Sequence, residues 1–394
     1  MTPASASSDA ATVPPPGGPS RSYLDHASTS PLRPAAARAV WEALSGADPS
    51  RVHTEGRMAR VALEDAREQV ATLFGTRPRQ VIFTSGATES INAASYGVLA
   101  GVRPGAVLMA PVEHSAVLES SRRWAAEVLP LAVDRSGRVD PAQVEETLAT
   151  RAVSLVQCQL ANHEVGTIQP VTEIAELCRR HATLLHVDAA AAAGHVPIAF
   201  DALGADLMSV SAHKLGGPKG AGALLVRRGL RITPFIVGGS QERARRGGLE
   251  NLPAAAGFGV AAAELAAIGV LEAETTAAAA LVERLRAAVS AIPGAELYGP
   301  AEPERRLPHL LCAGFAGLEA EPVLIGLDQA GVAAHSGSSC SSESLEPSPV
   351  LQAMGVDAER SLRLSVGWSS TGADVDRCVD ALAGVVARLR DLRA

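Results

Sequence analysis

The stretch that decides the fold is SAHKLGGPKG, residues 211–220, which places a lysine in a glycine-rich turn behind an apolar run. Its two lysines, Lys214 and Lys219, are the only lysines in the 394 residues. The run at 206–210 predicts a buried strand, so Lys214 lies just past a strand end, where open α/β sheets bind ligands. A lysine held there among few other charges loses its proton more readily, which Schiff-base chemistry requires. Lys219 is interpreted as a loop cation near a phosphate or in solvent.

Short apolar runs alternate with helical stretches on both sides of this segment. The runs are 80–84, 106–109, 153–156, 183–187, 206–210 and 222–226. Such alternation predicts an α/β fold with a mainly parallel sheet and helices on both faces. The last two runs are close together and predict a hairpin-like excursion rather than a further crossover. Earlier, 34–44 and 57–74 predict helices, and the second has these apolar residues near one face: Met58, Val61, Val70, Leu73 and Phe74.

The pattern changes near residue 265 and predicts a smaller α+β domain. Two long helices lead to a strand, a helix, a loop, a second strand and a last helix, placed near 307–315, 322–330, 335–347, 361–366 and the C-terminus. We expect 35–265 to form the large domain, and 21–34 with 266–394 to form the small one, which carries the loop at 335–347. Residues 1–20 are rich in Ala, Ser, Pro and Gly and predict a disordered tail without the features of a signal peptide.

Charge and cysteine content limit the classes of function. The net charge is −7 and the basic residues are scattered, so we expect no nucleic-acid interface. Five cysteines without CxxC or Cys/His spacing argue against a disulfide framework and a metal site, and for a reducing, cytoplasmic location. Glutamates interrupt the Ala-rich stretch 254–281, which therefore predicts a soluble helix pair rather than a membrane span. No GxGxxG or GxxxxGK[ST] is present, which argues against a nucleotide-binding α/β protein.

Two further motifs follow predicted strands. TSGATES, residues 84–90, opens a helix with small residues, so backbone N–H groups there can reach a phosphate. HVDAA, residues 186–190, ends another strand with Asp188, and a carboxylate there can pair with a pyridinium nitrogen. Each motif alone also fits an ordinary helix cap. A phosphate cradle, a strand-end aspartate and a strand-end lysine in this order make a specific constellation.

With these motifs in place, residues 22–390 resemble the cysteine desulfurases, which are fold-type I pyridoxal-phosphate enzymes of the class V aminotransferase-like group. The matching stretches are YLDHAST (23–29), DPSRVHTEGR (48–57), VIFTSGATES (81–90), EHSAVL (113–118), NHEVGTIQP (162–170), HVDAA (186–190), SAHKLGGPKGAGALLVRR (211–228), GGSQERARRGGLENLP (238–253), SGSSCSSESLEPSPVL (336–351) and LRLSVG (362–367). The resemblance implies a seven-stranded type of mainly parallel sheet beside the smaller α+β domain.

The resemblance also implies roles for individual residues. Lys214 would form the Schiff base with pyridoxal 5'-phosphate, and the phosphate would lie on Ala87, Thr88, Ser211 and His213. Asp188 would pair with the ring nitrogen, and His114 would stack on the ring and assist proton transfer. Arg363 would clamp the substrate carboxylate. Cys340, in a long mobile loop, would be the nucleophile, whereas we expect the other cysteines to be buried and inert, namely Cys158, Cys178, Cys312 and Cys378.

The implied reaction removes sulfur from L-cysteine, yields L-alanine and leaves a persulfide on Cys340. The thiolate, rather than the thiol, attacks the substrate sulfur, so the loop must bring Cys340 beside positive groups. The resemblance further implies a homodimer and a protein sulfur acceptor. That acceptor is an iron–sulfur scaffold, a tRNA-modifying enzyme, a DNA-sulfur-modifying system or a biosynthetic sulfur carrier, and the sequence does not select among them. We expect no direct contact with nucleic acid or a membrane.

Four positions depart from the family pattern. His163 stands where an asparagine contacts the ring hydroxyl, and Ala191 replaces a glutamine beside the same group. Leu249 replaces a threonine that reaches the partner subunit's cofactor phosphate. Asp48 replaces an asparagine, which puts a carboxylate near the expected substrate carboxylate. Lost hydrogen bonds of about 0.5–3 kcal/mol each would weaken cofactor binding by about one to three orders of magnitude.

Two other classes of function remain open at this point. A selenocysteine lyase, or another fold-type I lyase or epimerase, would share the cofactor site, although Cys340 favours persulfide chemistry. A degenerate member of the family, acting as a scaffold or sulfur-relay partner without catalysis, would be colourless after addition of pyridoxal phosphate.

Overall fold

The structure is a computed structural model that describes residues 21–337 and 347–393. Its strands are β1 Ser22–Tyr23, β2 Val81–Thr84, β3 Ala106–Met109, β4 Glu127–Pro130, β5 Val153–Gln159, β6 Leu184–Asp188, β7 Leu207–Ser211, β8 Gly222–Val226, β9 Ala295–Tyr298, β10 Leu310–Phe315, β11 Val332–Ala333 and β12 Leu362–Ser365. Its helices are α1 Pro34–Ala43, α2 Thr54–Leu73, α3 Ala87–Ser95, α4 Ser115–Trp124, α5 Pro141–Thr150, α6 Val171–Arg180, α7 Phe200–Leu203, α8 Leu252–Ala266, α9 Val270–Ser290, α10 Ala320–Gln329, α11 Pro349–Ala353 and α12 Gly372–Asp391.

A seven-stranded sheet forms the centre of the molecule, in the order β2-β8-β7-β6-β5-β3-β4. Strand β8 runs antiparallel to both of its neighbours, and the other pairs are parallel. The mainly parallel α/β sheet predicted from the sequence is therefore confirmed, as is the hairpin-like relation of β7 and β8. Because β5, β6 and β7 are parallel neighbours, their carboxyl ends meet at one edge of the sheet.

The apolar runs form strands because both faces of the sheet are covered. All seven residues of β5 are buried: its first part is the run 153–156, and the side-chain amides of Gln157 and Gln159 donate to Ser95 Oγ and to the carbonyl of Val112. Strand β4 is the exception, since the sequence pattern does not predict it. It lies at the edge of the sheet, its ends Glu127 and Pro130 are exposed, and edge strands are the positions that tolerate proline.

Helix α2 turns a different face to the core than its apolar pattern predicts. Met58 and Val61 are 67% and 60% exposed, so they do not share the buried face of Val70, as the predicted apolar face implied. Leu63 and Val70 are fully buried instead, and Phe74, just beyond the helix, is 1% exposed. The amino-terminal half of α2 thus leaves apolar side chains on the surface.

The Ala-rich region forms α8 and α9. No single helix in the described ranges is long and apolar enough to cross a membrane, and α8 and α9 meet the length and composition criteria only as a pair bent by 80°. Most residues of helix α8 are buried, and the helix packs against α1 and α2. Its apolar character is therefore that of a core helix.

A second buried cluster joins the N-terminal segment to the C-terminal region. Leu24 packs in it with side chains of α9, β10, α10, β12 and α12. Strand β1 pairs in parallel with β11, while β9, β10 and β12 form an antiparallel sheet. The N-terminal segment then runs toward the central sheet, where the backbone carbonyl of Ala27 accepts a hydrogen bond from Lys214 Nζ.

Side chains, rather than a further strand, cover the outer edge of β2. The backbone N–H of Phe83 donates to the Glu242 carboxylate over 3.0 Å, and the carbonyl of Val81 accepts from Arg67 Nη1 over 3.1 Å. Glu242 belongs to a turn, Gln241–Ala244, in which three successive non-glycine residues have φ of 47°, 59° and 60°. Such left-handed backbone is unfavourable for these residue types and persists only where its surroundings hold it.

Candidate active site

A cavity of about 630 Å³ opens at the carboxyl ends of β5, β6 and β7. This is the edge at which open α/β sheets bind ligands. The cavity brings together most of the residues singled out in the sequence: Ala87, Thr88, His114, His163, Asp188, Ser211, His213, Lys214 and Arg363. They come from widely separated parts of the chain, so their convergence is a property of the fold.

Lys214 ends a 3₁₀ turn, Ala212–Lys214, that follows β7 directly. Burial, together with the nearby guanidinium of Arg363, lowers the pKa of its ammonium group to about 8, against the opposing effect of Asp188 and Asp25. A substantial fraction of the amine is therefore neutral at physiological pH. A neutral amine is the nucleophile that attacks an aldehyde.

Asp188 is the last residue of β6 and is 7% exposed. Its Oδ1 accepts the backbone N–H of Ala190 over 3.0 Å. Burial raises the pKa of this carboxyl above its ordinary value, while that hydrogen bond and the neighbouring His163 and Lys214 oppose the rise. A buried carboxylate of this kind is stabilised by a cationic partner in the cavity.

The turn before α3 forms a cradle of small residues. Gly86 caps the helix with φ of 154°, a conformation that L side chains rarely adopt. A Cβ on Gly222 of β8 would lie 2.6 Å from Gly86 Cα, so only glycine allows the turn to approach the sheet this closely. Ala87 and Thr88 occupy the first turn of α3, whose unpaired N–H groups and dipole favour an anion.

Three side chains complete this end of the cavity. His213 Nδ1 lies 3.2 Å from Thr29 Oγ1, and burial together with Lys214 lowers the pKa of His213 to about 4. Glu89 accepts the N–H of Ser85 over 2.9 Å and pairs with Arg246 over 2.9 Å. Arg246 thereby ties the segment before α8 to the cradle.

His114 and His163 meet inside the cavity with their ring centres 5.2 Å apart and their planes at 65°. His114 caps α4, and its Nδ1 accepts the N–H of Ala116 over 3.1 Å. This bond leaves the proton of the neutral ring on Nε2. Burial lowers the pKa of His114 to about 3, helped by His163 and Lys214, so the ring is neutral at physiological pH.

Arg363 of β12 lies across the cavity from the cradle. Its Nη1 donates to the backbone carbonyl of His163 over 2.9 Å, and its Nη2 donates to Asp25 over 3.0 Å and to Ser28 over 2.6 Å. Its Nε is buried and has no hydrogen-bond partner in the described part of the chain. A buried donor in this state is costly unless a ligand satisfies it, and a carboxylate suits it.

The sequence analysis does not predict two residues near the cavity, Glu113 and His335. Glu113 lies beneath it, 3% exposed, with Oε1 accepting the N–H of Gln159 over 2.9 Å. Burial raises the pKa of Glu113 to about 8, so this carboxyl is largely protonated at neutral pH. Its position next to His114 in the sequence is a signal for it. His335 also lines the cavity, and its only signal in the sequence is its place at the start of the loop predicted at 335–347.

Two predicted site residues are not among the cavity lining. Asp48 lies in the loop before α2, where its carboxylate accepts the N–H of Ser50 over 2.8 Å and pairs with Arg51 over 3.0 Å. These bonds lower the pKa of Asp48, the Ser50 hydroxyl contributing most. The structure does not bring Asp48 to the cavity. Cys340 lies outside the described residues, as do most positions of the loop predicted at 335–347.

The four other cysteines are buried, being at most 3% exposed: Cys158, Cys178, Cys312 and Cys378. Burial raises the pKa of each of these thiols, to about 12 for Cys178 and Cys378. A thiol so protonated and enclosed is a poor nucleophile. Within residues 21–337 and 347–393, no group of three His, Cys, Asp or Glu side chains could hold a metal ion.

Comparison with known proteins agrees with this geometry. The family model Aminotransferase class-V matches residues 22–378. The chain is 39% identical over 392 residues to the cysteine desulfurase IscS of Dictyoglomus turgidum, and the match covers 94% of this chain and 95% of that protein. The chain belongs to the cysteine desulfurases of the class V aminotransferase family. An IscS-like cysteine desulfurase of Mycobacterium tuberculosis is 40% identical over 387 residues, covering 93% of this chain and 97% of the relative.

Solved structures give the same result for the fold. A NifS-like protein from Rickettsia africae superposes with a TM-score of 0.85 at 29% identity, covering 93% of this chain and 99% of that one. SspA in complex with cysteine superposes with a TM-score of 0.76 at 28% identity, covering 89% and 100%. The predicted fold class and the predicted family are therefore confirmed.

Cysteine desulfurases depend on pyridoxal phosphate, and the residues of this cavity fit that group. The glycine cradle before α3 suits a phosphate, and the buried carboxylate of Asp188 suits a protonated ring nitrogen. Lys214, with its lowered pKa, suits the aldehyde.

Proposed function

We propose that this cysteine desulfurase removes sulfur from L-cysteine with the residues gathered in the 630 Å³ cavity, releasing L-alanine and forming a persulfide on Cys340. The observation that carries the proposal is the convergence of Lys214, Asp188 and the cradle of α3 from three separate elements. Ala87, Thr88, Ser211 and His213 would hold the cofactor phosphate, and Lys214 would hold the cofactor covalently.

Bound pyridoxal phosphate supplies an electron sink for the carbon next to the substrate amine. Arg363 binds the substrate carboxylate and fixes the orientation of that carbon. The neutral amine of Lys214 removes the Cα proton, a role that its lowered pKa favours. His114, neutral and protonated on Nε2, donates a hydrogen bond into the site. His163 lies beside it and would contact the ring hydroxyl.

Sulfur transfer balances without an external oxidant. The Cys340 thiolate attacks the substrate sulfur, so an S–S bond forms as the substrate C–S bond breaks. The electron pair of the broken bond stays on Cβ, which takes up a proton. The proton that Lys214 removed returns to Cα, and alanine leaves. The persulfide on Cys340 then passes its outer sulfur to an acceptor protein.

A homodimer is part of the proposal. The surface of α1, of the following loop and of α2 exposes large apolar side chains: Trp41, Leu44, Val52, Met58 and Val61. Val237 and Leu249, in the segment before α8, are 77% and 61% exposed. A second copy of the chain would cover such a surface. We also propose a reducing, cytoplasmic location, in keeping with the protonated thiols and the absence of a disulfide among the described cysteines.

Incubation of the purified protein with L-cysteine tests the function. Alanine and sulfide should form in the presence of a reductant, and mass spectrometry should place an added sulfur on the peptide containing Cys340. Cys340→Ala should abolish alanine formation while the cofactor absorbance is unchanged. Alanine formation that survives this change would instead favour a lyase. Borohydride treatment should attach the cofactor to Lys214, and an unlabelled Lys214 would contradict the proposal.

A further inference from the structure

His335 and Arg363 face each other as an antiparallel pair. The N–H of Arg363 donates to the carbonyl of His335 over 2.7 Å, and the N–H of His335 donates back to Arg363 over 3.4 Å. Residues directly opposite in an antiparallel pair carry their side chains on the same face. Both side chains line the cavity. The imidazole therefore lies beside the guanidinium that would receive the substrate carboxylate.

One hydrogen bond fixes which nitrogen of His335 can donate. The backbone N–H of Gly337 donates to Nδ1 over 2.9 Å, so Nδ1 carries no proton. In the neutral ring the proton is then on Nε2, which becomes a donor. The charged groups around the ring are Arg363, Asp25, Glu164 and Lys214. Burial first, and then Arg363, lowers the pKa of His335, so the ring is a neutral donor at physiological pH.

Arg363 alone offers a carboxylate few uncommitted donors. Its Nη1 is bonded to the carbonyl of His163, and its Nη2 is bonded to Asp25 and Ser28. Its Nε is the nitrogen of this side chain that has no partner within the described ranges. A carboxylate has two oxygens that each accept hydrogen bonds. The other uncommitted N–H belongs to Nη1, on a different edge of the guanidinium from Nε–H, so a second donor beside Nε is needed to bind both oxygens.

We propose that His335 supplies this second donor, so that Nε2–H of His335 and Nε–H of Arg363 together bind the α-carboxylate of the amino-acid substrate. His335 then contributes to substrate recognition, in addition to the residues assigned above. This inference rests on the proposed function, because it concerns the substrate of that reaction. It predicts selectivity for amines that carry an adjacent carboxylate.

The test compares His335→Asn with wild type. Asparagine can still accept the N–H of Gly337 through its side-chain oxygen, as in an Asx turn, but it is too short to replace Nε2. The probes are L-alanine and ethylamine, which differ by the carboxylate, and cofactor absorbance of the holoenzyme gives their Kd values. We expect the Kd for L-alanine to rise about 10- to 100-fold, as for loss of a hydrogen bond to a charged group. The Kd for ethylamine should stay within about twofold.

Two further variants complete the test. His335→Gln keeps an N–H donor of greater reach and should restore the Kd for L-alanine to within about threefold of wild type, a result that a merely structural role for the ring does not give. His181→Asn, at the end of α6 away from the cavity, should match wild type. An unchanged Kd for L-alanine in His335→Asn, an equal rise for both probes, or failure of glutamine to rescue would overturn the inference. If His335→Asn does not retain the cofactor, His335→Ala is measured with the same two probes, and a rise in Kd for L-alanine alone is expected. Wild-type protein that does not bind L-alanine would overturn the proposed function itself.

Discussion

Arg67 and Glu242 form a bidentate ion pair, with Nη1–Oε2 and Nη2–Oε1 distances of 2.6 and 2.7 Å and both side chains 1% exposed. The same two side chains satisfy backbone groups on the outer edge of β2. The pair therefore replaces a missing neighbouring strand and holds the left-handed turn Gln241–Ala244 against the sheet. Through Arg246 and Glu89, the segment that follows this turn reaches the cradle of α3.

Breaking this pair should destabilise the protein strongly. Glu242→Gln removes the bidentate counter-charge of the buried Arg67 and leaves only Glu64, 3.3 Å from its Nε, so we expect a loss of about 3–5 kcal/mol in the free energy of unfolding. Urea denaturation followed by circular dichroism measures it. The matched control is Glu127→Gln, which breaks the exposed pair with Arg151 at 2.7 Å and should cost less than about 1 kcal/mol. Equal losses in the two variants would show that the buried pair does not hold the turn.

Capture of pyridoxal phosphate should follow the ionisation of Lys214. The amine attacks only when neutral, and its pKa is lowered to about 8. We therefore expect the rate of capture by cofactor-free protein to rise with pH up to about 8 and to level off above it. Stopped-flow absorbance after mixing gives this rate. A rate still rising steeply at pH 10 would indicate an ordinary lysine, and Lys214→Arg should show no covalent capture at any pH.

Stability should fall as the solution becomes acidic. The rings of His195 and His309 stack with centres 3.4 Å apart and planes at 10°, and burial lowers the pKa of His195 to about 3 and that of His309 well below 6.5. The unfolded chain then binds protons that the folded chain does not, so each such ring removes about 1.4 kcal/mol per pH unit as the pH falls below 6.5.

Replacing one of these rings should reduce this slope. We expect urea midpoints measured between pH 5 and 7 to depend less on pH in His309→Asn than in wild type. His53→Asn is the control, because His53 is exposed and accepts the N–H of Gly56 at a helix start, where asparagine is an equally good cap. A wild-type midpoint that does not change over this range would contradict the prediction.

Glu113 should have the opposite pH dependence. Its pKa is raised from 4.5 to about 8, so its stabilising contribution is complete below pH 4.5 and is lost as the pH rises toward 8. Glu113→Gln imitates the protonated carboxyl at every pH. Between pH 6 and 8 the unfolding free energy of wild type should fall by about 2.3 kcal/mol relative to this variant, because Glu113 is itself half ionised near pH 8. Parallel pH profiles for the two proteins would show that Glu113 is already ionised in the fold.

Restoring an amide at position 191 should strengthen cofactor binding. Ala191 lines the cavity and offers no side-chain hydrogen bond. Ala191→Gln adds one neutral bond, worth about 0.5–1.5 kcal/mol, so the Kd for pyridoxal phosphate should fall about 2- to 10-fold. Fluorescence titration of cofactor-free protein measures it. Ala191→Leu adds similar bulk without a donor and should give no gain; an equal gain from leucine would point to packing instead.

Local pattern was enough to predict six of the seven strands of the central sheet, all but β4. Each apolar run from 80–84 to 222–226 lies in a strand, because buried parallel strands need continuous apolar sequence. Strands β4 and β9 have no such signal, since they are short and carry exposed or half-buried residues. The exposure of Met58 and Val61 has a related cause, because helical periodicity shows that a helix has an apolar face but not what covers each part of it.

The sequence predicts those cavity residues that belong to a local motif. It does not predict those that reach the cavity only through contacts between distant segments. Lys214, Asp188 and the cradle follow strands directly, so their place at the sheet edge is implied by the strands themselves. Glu113 and His335 depend on contacts between distant segments: burial under the cavity for the first, and pairing with Arg363 for the second. Asp48 is a case in which a motif predicts too much. Its position in the motif predicts a substrate-binding residue, but its carboxylate is bonded to Ser50 and Arg51 within its own loop.

The enclosure of Cys158, Cys178, Cys312 and Cys378 has a practical consequence. A maleimide or iodoacetamide reagent applied to the native protein should leave these four thiols unmodified, so they need not be removed before a fluorophore or spin label is directed to position 340. Labelling above one equivalent per chain would then report opening of the interior, which makes the same reaction a measure of conformational integrity.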